Sequence, residues 1–143
     1  MAVLREIMSD SVVTLRPETT MAEAVQTLTK HHLGGAPVVS VAGTLEGMIS
    51  DSALLDVVFD PAVKGTPVSE YMDREVHVVN VDDPISCAAQ LFALYSFRRL
   101  PVVDHGQLVG IVTRRDLMNH ALESNESLTE PLFEMVPALG QLT

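Results

Sequence analysis

Apolar positions along this chain fall into helix and strand periods whose order is written twice, about 64 residues apart. Leu4, Ile7 and Met8 form one stripe at helical spacing, which predicts a short helix over about Val3 to Met8; Val68, Tyr71 and Met72 repeat it. Val12-Val13-Thr14-Leu15 and Val76-His77-Val78-Val79 predict strands, because β-branched residues favour extended backbone. Thr20-Met21-Ala22-Glu23 reads as a capping box ahead of a helix that buries Met21, Ala24, Val25 and Leu28. Its counterpart buries Ile85, Ala88, Ala89 and Phe92, with Asp83-Pro84 as cap and first-turn proline. Two strands follow in each copy. Pro37-Val38-Val39 and Leu45 to Ile49 turn around Gly43, while Pro101-Val102-Val103 and Leu108 to Val112 turn around Asp104-His105-Gly106, where glycine supplies positive φ. A last helix starts near Ser50 or Thr113 and carries Leu54-Leu55-Val58 or Leu117-Met118-Ala121.

The two copies align without a gap from Ile7 to Val39 at an offset of 64, then from Gly47 at 63, so one residue is lost in the hairpin region. Each copy is too small to bury its apolar face well alone, which predicts that the two pack together and that the cleft between them is a ligand site. The predicted organisation is repeat 1 at 1–60, a linker at 61–66 rich in breakers, repeat 2 at 67–122, and a tail at 123–143. Within the tail, Thr129 to Val136 reads as one short amphipathic helix. The exposed apolar sides of the last helices suit a homodimer.

Composition narrows the chemistry. A formal net charge of -10 and a pI near 4.7 oppose non-specific attraction to nucleic acid or to an anionic membrane, and the six aromatics are few for base stacking. No apolar run reaches the ~20 residues of a membrane span and no leader pattern opens the chain, so a soluble, cytoplasmic protein is expected. Cys87 is the single cysteine, at the position of Glu23, and shows no metal-ligand spacing. His31, His32, His77, His105 and His120 likewise show no standard metal spacing, and no constellation of activated residues points to an enzyme.

An acidic chain that binds phosphate needs a local basic cluster. Four of the nine basic residues lie in two short segments of repeat 2, Arg98-Arg99 ahead of the central strand and Arg114-Arg115 at a helix start whose free amides also favour anions. Between the last strand and that helix, Thr113-Arg114-Arg115-Asp116 has the spacing of a capping motif.

Two copies of a strand ending in x-x-P-V-V, a hairpin, and G-(I/V/M)-(I/V)-(S/T)-x-x-D-L before a helix resemble the cystathionine β-synthase (CBS) domain, and the pair resembles a Bateman module over roughly residues 1 to 122. The resemblance implies an α/β (α+β) fold of two β-α-β-β-α repeats around a pseudo-twofold axis. It also implies a regulatory, non-catalytic module that requires no cofactor, binds an adenosine nucleotide (AMP, ADP or ATP) between the repeats and signals to a partner protein. The alternatives are an S-adenosylmethionine binder or a dimeric scaffold with no physiological nucleotide. By position, Asp116 is expected to accept the ribose hydroxyls and Thr113 to contact ribose or phosphate. Arg98, Arg99, His31 and His32 are expected to point towards the phosphate, with the Arg114-Arg115 pair of the basic cluster adding charge, and Met8, Val13, Leu33, Gly34 and Ile111 to line the base. Repeat 1 departs from the pattern, because Ser50-Asp51-Ser52-Ala53 has alanine where the aspartate belongs. The second cleft, with Ser50, Met72, His77 and Phe97, is therefore expected to lack its ribose acceptor.

Overall fold

The computed structural model describes residues 2–124, so the expected helix at Thr129 to Val136 and the rest of the tail lie outside the described residues. Each repeat forms the mixed α/β succession read from its apolar pattern. Repeat 1 runs α1 (Leu4–Ile7), α2 (Met21–Lys30), β1 (Gly35–Val39), β2 (Leu45–Ser50) and α3 (Asp51–Val58). Repeat 2 opens with a 3-10 turn at Val68–Glu70, then β3 (Val79–Asn80), α4 (Ile85–Leu94), β4 (Arg99–Asp104), β5 (Gln107–Thr113) and α5 (Arg114–Ser124). Antiparallel β1 and β2 make one sheet; β3, β4 and β5 make another in that order.

The extra residue of repeat 1 sits in its hairpin: Val41, Ala42 and Gly43 separate Ser40 from Thr44, whereas His105 and Gly106 alone separate Asp104 from Gln107. Gly43 and Gly106 hold φ of +89° and +81°, as the turns require.

The strand expected at Val12 to Leu15 shrinks to one parallel bridge, Leu15 with Val38, and the one expected at Val76 to Val79 shifts to Val79–Asn80. Proline explains both. Leu15 N donates to Pro37 O at 3.0 Å and Val39 N donates to Leu15 O at 2.8 Å, so the next donor back along β1 is the amide that Pro37 lacks. Without it the ladder cannot reach Val13. Pro101 has the same place relative to His77.

The compact units do not follow the order of the chain. Among the described residues, one gathers those up to Val12, His77–Asp104 and those from Val109 to Ser124; the other gathers Val13–Val76 and His105–Leu108. The lead segment of each repeat therefore packs on the helix and strands of the other repeat, through bonds that match pairwise at the repeat offset. Ile85 N at the start of α4 donates to Ala2 O at 3.1 Å, and Met21 N at the start of α2 donates to Thr66 O at 2.8 Å. Leu4 N donates to Asp83 O (3.0 Å), as Val68 N does to Thr19 O (2.8 Å). These bonds satisfy helix-start amides that have no partner within the helix. Leu4 is fully buried among Ile85, Ala88, Leu100 and Val112, and Val68 among Met21, Ala24, Ala36 and Ile49.

Further along each lead the backbones pair directly. Ser9 and Ile111 exchange two bonds of 2.9 Å, and Asp73 and Met48 exchange bonds of 2.8 and 2.9 Å. Glycine permits the approach: a Cβ on Gly110 would lie 2.5 Å from Met8 Sδ and 2.9 Å from Ser9 O, and one on Gly47 would lie 2.8 Å from both Met72 Sδ and Asp73 O.

The apolar sides of the last helices need a correction. Leu54 and Leu117 face their own cores at 5% and 6% exposure, so the exposed positions are Leu55, Met118 and Leu122. No described helix is long and apolar enough to cross a membrane.

The glycine contacts are directly testable. Gly110→Ala and Gly47→Ala should each lower stability by about 1–3 kcal/mol in urea denaturation, because a methyl group there meets backbone oxygen as well as a flexible thioether. Gly65→Ala, with nothing within 4 Å, should be close to neutral. Neutral behaviour at both packed glycines would contradict the close approach.

Candidate functional site

β5 presents the motif residues on alternating faces. Gly110 and Val112 are buried, whereas Ile111 and Thr113 are partly exposed on the opposite side, two residues apart and hence on one face. The lead segment runs alongside through the Ser9–Ile111 pair and sets the half-buried Met8 against Gly110. Of the expected site residues, Ile111, Thr113 and Asp116 are thus brought together, while Met8, on the same unit, packs on the opposite, Gly110 face of the strand.

At the β5–α5 junction, Asp116 N donates to Thr113 Oγ1 at 3.2 Å and Thr113 N donates to Asp116 Oδ2 at 2.8 Å. This is a complete capping box, so the capping reading of the motif is realised. It does not exclude ribose recognition. A carboxylate has two oxygens and about four lone-pair sites, and one amide bond to Oδ2 leaves capacity for a pair of hydroxyls. Repeat 1 has no such box: the carboxylate is replaced by Ala53, and Ser50 Oγ lies 2.9 Å from Ser52 Oγ.

The four arginines all fall in the same unit as Thr113 and Asp116. Arg98 and Arg115 are exposed, and Arg99 is half-buried at the start of β4. Arg114 is exposed as well, but its guanidinium is held by backbone carbonyls. Its Nη2 donates to Phe92 O at 3.2 Å and to Tyr95 O at 3.1 Å, and its guanidinium carbon lies 5.8 Å from the centre of the Phe92 ring.

Val13, His32, Leu33 and Gly34 belong to the other unit. His32 takes φ +55°, and Leu33 N donates to Leu28 O at 2.9 Å, which closes the end of α2. The Gly34 carbonyl accepts from Asp51 N at 2.8 Å.

For the repeat-1 motif, Ser50 and the buried Met72 lie in one unit and His77 and Phe97 in the other. His77 and Phe97 stack with Tyr95, ring centres 4.7 to 5.2 Å apart. Tyr95 was missed in the sequence, although it occupies the position of His31 at the repeat offset. Among the described residues no group of three or more His, Cys, Asp or Glu is placed to hold a metal.

The two repeats share one sheet-and-helix plan, and each carries a G-x-x-(S/T) strand end before its last helix. The CBS-domain model matches residues 4–60 and 68–123, and the chain belongs to that family. It is 37% identical over 131 residues to the CBS domain-containing protein YhcV of Bacillus subtilis (strain 168), covering 89% of this chain and 90% of that protein. The crystal structure of CBSX2, a CBS-pair protein from Arabidopsis thaliana, in complex with AMP superposes with a TM-score of 0.79 at 29% identity, over 88% of this chain and 100% of that one. The CBS pair of protein MJ0100, in complex with 5-methylthioadenosine and S-adenosyl-L-methionine, gives 0.71 at 26% identity, over 88% and 99%.

Cys87 lies away from this site, half-buried against the repeat-2 core. Burial pushes its thiol pKa up, and the neighbouring Asp83 carboxylate adds to the rise. The thiolate is the reactive form, so alkylation by iodoacetamide at pH 8 should be slower than for a free cysteine, with the rate rising on the alkaline side of an ordinary thiol. A faster rate than free cysteine would contradict this environment.

Proposed function

We propose that this protein is a regulatory module that binds an adenosine-containing ligand at the Thr113–Asp116 end of β5 and α5 and reports its presence to a partner protein. The observation that supports this most is the likeness, over nearly the full length of both chains, to a CBS pair whose crystal structure holds AMP. Asp116 accepts the ribose hydroxyls while its Oδ2 keeps the helix cap. Ile111 borders the base, and Met8 supports that strand from its Gly110 face. Arg98, Arg99 and Arg115 supply positive charge for phosphate in a chain of net charge -10, and the first amides of α5 add to it. The module acts through binding, not catalysis. With Ala53 in place of a carboxylate, the repeat-1 motif is the weaker of the two.

AMP, ADP or ATP should raise the melting temperature saturably, since a ligand bound only by the folded state stabilises it by mass action. Asp116→Asn should lose on the order of 1–3 kcal/mol of affinity by calorimetry, with a smaller change in folding stability because the amide oxygen still accepts from Thr113 N. Unchanged affinity would reduce the motif to a cap. Response to S-adenosyl-L-methionine alone would move the reading to that ligand, as the MJ0100 pair suggests, and no response to any adenosine compound at millimolar concentration would favour the scaffold.

The reading also includes a second copy of the chain. Leu55, Met118 and Leu122 are 60%, 59% and 80% exposed on the last helices, and large apolar side chains left exposed on each helix favour burial between subunits. Light scattering at micromolar concentration should give roughly twice the 15.5 kDa chain mass. A 15.5 kDa particle would contradict the homodimer.

A further inference from the structure

The helices α2 and α4 are equivalent, residue for residue, yet they end differently. At the end of α2, His32 turns left-handed, its amide donates to Thr29 O at 3.3 Å, and Leu33 N donates to Leu28 O at 2.9 Å. This is the Schellman arrangement, in which the backbone caps itself. At the end of α4, Tyr95 is extended (φ -128°, ψ 159°), so the chain leaves without that turn. The carbonyl of Phe92 holds the place of Leu28, and its partner is a side chain, Arg114 Nη2, which also takes Tyr95 O. A guanidinium on the negative end of a helix is favourable, and its central carbon lies over the Phe92 ring, 5.8 Å from the ring centre. The position of Arg114 in repeat 1 is Asp51, which cannot make this clamp.

Arg114 thus ties the first turn of α5, where Thr113 and Asp116 form their box, to the last turn of α4, three residues before Arg98. We infer that Arg114 is a positioning residue: it replaces the missing backbone cap of α4 and fixes the Tyr95–Arg99 segment, so that the arginines at the start of β4 and the carboxylate at the start of α5 act on one ligand. This deepens the proposed function and rests on it. The role fits the fork of arginine, since both protons of one terminal nitrogen are spent on carbonyls while the charge stays beside the segment it orders.

The test uses the full chain and two readouts. Arg114→Gln should speed hydrogen exchange at the amides of Tyr95 to Arg99 in the unliganded protein, where Tyr95 N donates to Leu91 O at 3.0 Å. In calorimetry it should also cut the ratio of AMP to adenosine affinity by roughly tenfold, the scale of one misplaced charged hydrogen bond, with adenosine affinity little changed. Arg114→Lys keeps the charge and stem but not the fork, and gives the same two readouts if the glutamine variant does not fold. Lost discrimination with unchanged exchange would mean that Arg114 touches the phosphate itself, and faster exchange with intact discrimination would leave it a purely structural clamp. Either result overturns the inference while the nucleotide reading stands. Failure of the wild type to bind both AMP and adenosine would instead remove that reading, and the inference with it.

Discussion

The crossed packing of the lead segments is the constraint on which the rest of this structure depends. A repeat of this size exposes an apolar helix face and a set of helix-start amides that its own residues cannot cover. Each repeat obtains both from the other: Leu4 fills the core under α4, Val68 fills the core under α2, and the carbonyls of Ala2 and Thr66 close the first amides of those helices. The arrangement has a geometric condition, a glycine on the last strand where the lead crosses it. Gly110 and Gly47 meet that condition at the same repeat position.

The candidate site inherits this geometry. Because Ser9 pairs with Ile111, Met8 comes from the far end of the sequence to stand beside the strand that ends in Thr113. The same backbone plan then diverges in its polar details. Repeat 2 keeps a carboxylate in its cap and an arginine clamp on α4, whereas repeat 1 has alanine and aspartate at those two places and closes α2 by a left-handed turn at His32.

Much of the fold was legible in the sequence because apolar periodicity survives low identity: α2, α4, β1, β2, β4, β5, α3 and α5 all fall where the spacing put them. Partner choice was not legible. The stripe Leu4, Ile7, Met8 says which face of a helix is apolar, and two cores of like composition satisfy it equally well. The strand expected at Val12 to Leu15 is limited to one bridge because β-branched composition does not reveal which neighbour donates to it, and Pro37 has no N–H. At the site, the spacing of Thr113 and Asp116 was readable, but that Arg114 would cap α4 depends on Tyr95 leaving the helix extended, which no local pattern announced.

The central claim is that the first residues of the chain stabilise the second repeat rather than the first. Native-state hydrogen exchange on Leu4→Ala tests it most directly, since removing a fully buried leucine costs about 2–5 kcal/mol where its side chain packs. Protection should fall in α4, β4 and β5 while α2, β1 and β2 stay as in the wild type. Loss that appears first in α2, β1 and β2, the elements closer in sequence to Leu4, would contradict the crossed arrangement.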